Sequence, residues 1–150
     1  MKKLILVLLF ITFLFAGDWN YQNMKFSGGY TASIDTIENF YSYTYEVGNG
    51  KLLPTSFTIT HILQPDTSTI NYGDSVDCVI SLDFTNDGTY WYSYGNIDTI
   101  DLDSATVAGM SQVIGKATIT TIPDYRYFRA KITSNTVDTF SVKLQKSVEF

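Results

Sequence analysis

Ser75–Tyr94, SVDCVISLDFTNDGTYWYSY, reads as a β-hairpin. Val76, Cys78, Ile80, Leu82 and Phe84 alternate with Asp77, Val79, Ser81 and Asp83, the period-two pattern of a half-buried strand. Asn86-Asp87-Gly88 follows, and Gly88 can take the positive φ of a tight turn. Tyr90, Tyr92 and Tyr94 then alternate with Trp91 and Ser93 on the returning arm.

The same period spreads outward from the hairpin. Tyr125–Ser134 turns Phe128, Ala130 and Ile132 inward and Tyr127, Arg129, Lys131 and Thr133 outward. In Thr139–Val148, Phe140, Val142, Leu144 and Val148 face the core and Lys146 interrupts their row. Upstream, Phe57, Ile59, His61 and Leu63 share one face of Ser56–Leu63. Asn39–Val47 sets Tyr41, Tyr43, Tyr45 and Val47 on one face; that tyrosine row is expected under loops as core, with an exposed contact surface as the alternative. Gln112–Ile122 forms a strand in which Gly115 marks a bulge, and Gly95-Asn96 separates the hairpin from a short strand at Ile97–Leu102. About eight short strands with regular turns predict an all-β antiparallel sandwich or jelly roll. Half-polar alternation excludes a parallel sheet buried on both faces.

Met1–Gly17 has the form of a signal peptide. Lys2 and Lys3 precede the apolar run Leu4–Phe15, and Ala16 and Gly17 offer a cleavage point after either residue. The run is shorter than the roughly 20 residues of a spanning helix. An uncleaved anchor is the alternative, since neither Leu14 nor Phe15, three before the two cuts, is small. Residues 18–150 then form one domain, secreted, at the cell surface or periplasmic, with no membrane contact in the mature form. Of the 150 residues, 15% are aromatic, and the formal charge of −5 becomes −7 once Lys2 and Lys3 are removed. No basic patch suits phosphates, so nucleic acid is excluded as a partner. The single cysteine, Cys78, rules out a disulfide within the chain and sits among core positions.

LDFTNDGTYWYSY, PDYRYFRAKIT and DTFSVKLQK together resemble the strand order of discoidin-like (galactose-binding-like) jelly rolls. There a D-G-x-x-W turn precedes an R-Y-x-R strand and an amphipathic strand closes the domain. The matching positions are Asp87, Gly88, Trp91, Arg126, Tyr127 and Arg129, all in the second half of the chain. Similar wording occurs in β-sandwich proteins of phage virions. The resemblance implies fold and a general ligand-binding class; the first half and the terminal cysteine pair of many members have no counterpart here.

No catalytic motif, phosphate-binding loop or zinc spacing occurs, and no enzyme activity or cofactor is expected. His61, the only histidine, reads as a satisfied core or rim residue. The one metal option is calcium at Asp98, Asp101 and Asp103, which lack the glycine and terminal acid of a 12-residue calcium loop. The leading function is a non-catalytic extracellular protein acting by contacts, as a surface, matrix, adhesin or self-assembling component. The alternative is carbohydrate binding through Trp91, Tyr92, Tyr94 and Trp19, against which stands packing of Trp91 under the hairpin. A small eight-stranded outer-membrane barrel is the second alternative. The expected partners are a second copy of the chain or a surface glycan.

Overall fold

The computed structural model describes residues 22–34, 37–48, 53–65, 69–70, 75–103, 108–135 and 140–149; Met1–Gly17 and Trp19 lie outside the described residues. The strands are β1 (Gln22–Asn23), β2 (Ala32–Ile34), β3 (Asn39–Tyr41), β4 (Tyr45–Glu46), β5 (Ser56–Pro65), β6 (Ser75–Thr85), β7 (Tyr92–Asp103), β8 (Val113–Ile119), β9 (Tyr127–Ser134) and β10 (Phe140–Glu149). They form two five-stranded antiparallel sheets. In the first, β1 and β2 both pair with β10, followed by β5 and β8; in the second, β3 and β4 both pair with β9, followed by β6 and β7. The last two long strands insert between earlier ones, one per sheet, which is jelly-roll wrapping. The described residues form ten strands where about eight were expected, because the N-terminal segments are broken into pieces of two or three residues. The two sheets are separate rather than one closed cylinder, which removes the outer-membrane barrel as an architecture.

The opening stretch is the β6–β7 hairpin. Gly88 takes φ +76°, and the Asp87 carboxylate accepts from the N–H groups of Thr89 and Tyr90 at 2.8 and 3.1 Å. Those N–H bonds to the ionised form hold the Asp87 carboxyl below the usual carboxylate range. The expected turn at Gly95-Asn96 is instead a doubly bulged part of one strand. The register shifts between Ile80 and Ser81 and between Leu82 and Asp83, leaving Ile97 and Tyr94 unpaired on β7. Both extra side chains pack against the core. Bulges of this kind increase local twist and re-aim side chains.

The alternating residues meet between the sheets as expected. Phe57 of β5 and Phe128 of β9 meet edge to face with centroids 4.6 Å apart, joining the two layers. Cys78, Ile80, Leu82 and Phe84, with Ile132, Val142 and Leu144, complete a buried core. Each such side chain contributes about 1.5–3 kcal/mol by leaving water.

Gly115 causes no bulge. The β5–β8 register runs unbroken from Phe57↔Ile119 to Leu63↔Val113, with Gly115 directly opposite His61. A Cβ on Gly115 would lie 2.2 Å from the His61 ring, so the glycine leaves the space that the imidazole fills. His61 is 6% exposed, and its Nδ1 lies 3.0 Å from Asp98 Oδ2, reaching from one sheet to the other but off the line of a well-formed hydrogen bond. Burial pushes its pKa down, and the Asp98 carboxylate opposes that push.

Candidate ligand-binding groove

The tyrosine row is where expectation and structure part. Tyr43 is 49% exposed and Tyr41 is exposed, so these two are surface, whereas Tyr45 is half-buried against the core and Val47 is buried in it as expected. The cause is a break between β3 and β4. Ser42 is buried and keeps its hold on β9: its N–H donates to the Ala130 carbonyl, and its Oγ accepts the Ala130 N–H, each at 2.9 Å. The next residue leaves that ladder, the Tyr43 N–H donating to the Lys25 carbonyl at 2.7 Å. The chain thereby leaves β9 for the segment beside β1 before β4 rejoins β9, and Tyr43 turns outward.

The opposite wall is built from β1 and the turn after it. The Met24 N–H donates to the Leu144 carbonyl at 2.8 Å, and Phe26 and Gly29 exchange backbone hydrogen bonds across a turn in which Gly29 takes φ +132°. That turn returns the chain so that Tyr30, 57% exposed, stands near Tyr43. Gln145 Nε2 donates to Asn23 Oδ1 at 2.9 Å and fixes that amide on the edge strand. Across the gap the Lys25 N–H donates to the Tyr45 hydroxyl oxygen at 2.5 Å, tying the two walls. Burial raises the Tyr45 pKa, so the phenol stays neutral at physiological pH.

Between these walls lies a groove of about 410 Å³, lined by Gln22, Asn23, Lys25, Tyr30, Tyr43, Thr44 and Tyr45. The volume falls in the range of about 300–1,000 Å³ typical of small-ligand sites. Three phenols offer ring faces and hydroxyls, two amides offer donors and acceptors, and Lys25 is the only charged residue among the described lining residues. The Lys25 ammonium sits 5.4 Å from the Tyr43 ring centre.

The residues singled out for ligand contact in the sequence lie elsewhere, and on two faces. Trp91 is half-buried on the outer face of the second sheet, where the Arg129 guanidinium lies between its ring, at 4.0 Å, and that of Tyr41, at 4.2 Å. The same guanidinium pairs with Asp83 Oδ2 at 3.2 Å, which satisfies a carboxylate only 7% exposed. Trp91 is thus neither a core anchor nor an open platform: one ring face is covered by a cation. Tyr92 shares the side of Phe84, stacks on Tyr125 with centroids 5.7 Å apart, and is 53% exposed. Tyr94 packs edge-on against Phe84. Asp98 points inward to His61, while Asp101 lies opposite Asp77 on the outer face. The Asp103 side chain and Trp19 are outside the described residues. Among the described residues no group of three metal-ligating side chains comes together. Tyr30, Gln22 and Asn23 were missed, because nothing in a polar N-terminal stretch marks which residues face a groove made by a distant strand.

No protein-family model and no curated protein matches this sequence. Solved structures do resemble it in fold. The CBM22-1 xylan-binding domain of Paenibacillus barcinonensis Xyn10C superposes with a TM-score of 0.50 at 7% identity, covering 89% of this chain and 96% of that one. The CBM22-1-GH10 modules of the Clostridium thermocellum xylanase Xyn10B, solved with xylohexaose, give a TM-score of 0.53 at 12% identity. That match covers 89% of this chain and 25% of the longer xylanase chain. At these identities the likeness is one of fold alone: an antiparallel β-sandwich.

Proposed function

We propose that this chain is a non-catalytic carbohydrate-binding β-sandwich that holds a saccharide in the groove formed by Tyr30, Tyr43 and Tyr45 with Gln22 and Asn23. The observation that carries the reading is the exposure of two of these tyrosines beside the fixed Asn23 amide in one concave site. Aromatic faces cover the apolar C–H faces of a sugar ring, and amides and phenol hydroxyls exchange hydrogen bonds with its hydroxyls. Two solved proteins of the same architecture are named for xylan binding or were solved with xylohexaose, which supports the class of ligand. The leader at Met1–Gly17 would deliver the domain outside the cytoplasm, where such ligands occur. The broader reading as an adhesin or matrix component narrows to contact with a surface glycan.

The test is a glycan array probed with the secreted chain and with Tyr43→Ala, Tyr30→Ala and Trp91→Ala variants, each checked for a native circular dichroism spectrum. The proposal expects a defined set of glycans, lost in the first two variants and kept in the third. Silence across the array would sink it, and loss confined to Trp91→Ala would move the site to the opposite face.

A further inference from the structure

Lys146 is the side chain that the fold explains least by itself. It lies on β10 with Cα partners Ile59 on one side and Gln22 on the other, between the core residues Leu144 and Val148. Its ammonium sits at the seam between the sheets, 5.3 Å from the Tyr45 ring centre and 5.8 Å from that of Phe128. Burial lowers its pKa, the direction expected for a cation withdrawn from water. Ring faces compensate part of the lost hydration. No described carboxylate pairs with it or with Lys25.

The chain is acidic overall. Its two described arginines are engaged, Arg129 by Asp83, Tyr41 and Trp91, and Arg126 over the Tyr127 ring, and the remaining described lysines, Lys116, Lys131 and Lys143, lie on strands away from the groove lining. Among the described residues the groove lining contains no carboxylate. Of the described acids near the groove in sequence, Glu46 is exposed on β4 opposite Tyr127, and Glu149 accepts a hydrogen bond from Ser56. Lys25 stands at one wall over Tyr43, and Lys146 stands behind the other over Tyr45. Lys25 thus lines the groove and Lys146, outside the lining, lies behind Tyr45, while the other described lining residues are neutral.

We infer that the groove selects an anionic saccharide, one bearing a carboxylate or a sulfate ester, with Lys25 and Lys146 supplying the complementary charge. The inference rests on the saccharide reading and narrows it. Lysine acts here as a point charge, so either anion satisfies the site. Charge complementarity of this kind gives selectivity and a dependence on salt.

The test is calorimetric titration of the secreted chain with three probes: trigalacturonic acid, a sulfated oligosaccharide of similar length, and neutral xylohexaose, each at low and at high salt. At least one acidic probe is expected to bind about tenfold or more tighter than xylohexaose at low salt, with the advantage shrinking as salt rises. Lys25→Ala and Lys146→Met should each erase most of that advantage, the second keeping the side-chain volume so that folding is retained. Which acidic probe binds identifies the anion. Equal or tighter binding of xylohexaose, or acidic binding unchanged in both variants, overturns the inference and leaves the saccharide reading standing. Binding of none of the probes, together with silence on the glycan array, overturns both.

Discussion

Replacing Gly115 with alanine tests the inter-sheet contact most sharply, because the sign of its effect should depend on a residue in the neighbouring strand. The added Cβ would sit 2.2 Å from His61 Cε1 and 2.4 Å from Nε2, where ordinary contact begins at 3.4 Å. The ring must therefore retreat by about an ångström or more, and it is hemmed in by the opposite sheet and drawn toward Asp98. Overpacking of this type costs about 1–3 kcal/mol. Gly115 does not require a positive φ, so alanine suits the backbone and returns about 0.5–1 kcal/mol of the glycine entropy penalty. The net expectation is a loss of about 1–2 kcal/mol in the natural background. With His61→Ala already present the clash is gone, and Gly115→Ala should stabilise by about 0.5–1 kcal/mol relative to His61→Ala alone. Urea unfolding of the four proteins in this cycle reads the coupling as shifts in midpoint at constant slope. Additive effects, or a cost of Gly115→Ala that survives in the His61→Ala background, would refute the reasoning.

Other outcomes follow from the same structure. Arg129→Ala should destabilise by about 2–4 kcal/mol, since it strands the buried Asp83 carboxylate, and should change the fluorescence of Trp91 by uncovering its ring. An unchanged midpoint and spectrum would show that this ion pair is loose in solution. His61 has a folded pKa below its ordinary 6.5, so the unfolded chain takes the proton first. Stability from this source is complete above about 6.5 and is lost as pH falls toward the folded value. His61→Ala should flatten that part of the urea-midpoint profile, and identical profiles would contradict the assignment. Lys146→Met should raise stability by about 0.5–1 kcal/mol, because a half-buried ammonium gives way to a thioether of similar length. A lower melting temperature in that variant would mean that the contacts with Tyr45 and Phe128 outweigh the lost hydration.

Much of the architecture was legible because burial on one face of a strand imposes its period on the sequence. Val76 to Phe84, Phe128 to Ile132 and Phe140 to Leu144 alternate in sequence and meet between the layers in the structure. Glycine was harder to read. Gly95 and Gly115 look alike in a strand pattern, but one accompanies a double bulge and the other makes room for an imidazole from the adjacent strand. The pairing register and the backbone, with φ +104° at Gly95, distinguish them. The candidate site was the least legible part. Alternation puts Tyr41, Tyr43 and Tyr45 on one face, but whether that face is core depends on the step that Ser42 makes between two ladders. Trp91 drew attention by its residue type, yet Arg129, 38 positions later, covers its ring. Lys146 read as a flaw in an inward row, and its meaning emerged only with Tyr45 and the groove beside it.

The most direct measurement is the map of backbone amide chemical-shift changes on titrating the isotopically labelled chain with its best glycan from the array. The proposed site predicts changes concentrated at Gln22–Lys25, Tyr30 and Tyr43–Tyr45, saturating together with one affinity. Changes centred on Trp91 and Arg129, or none along the groove at saturating ligand, would contradict it.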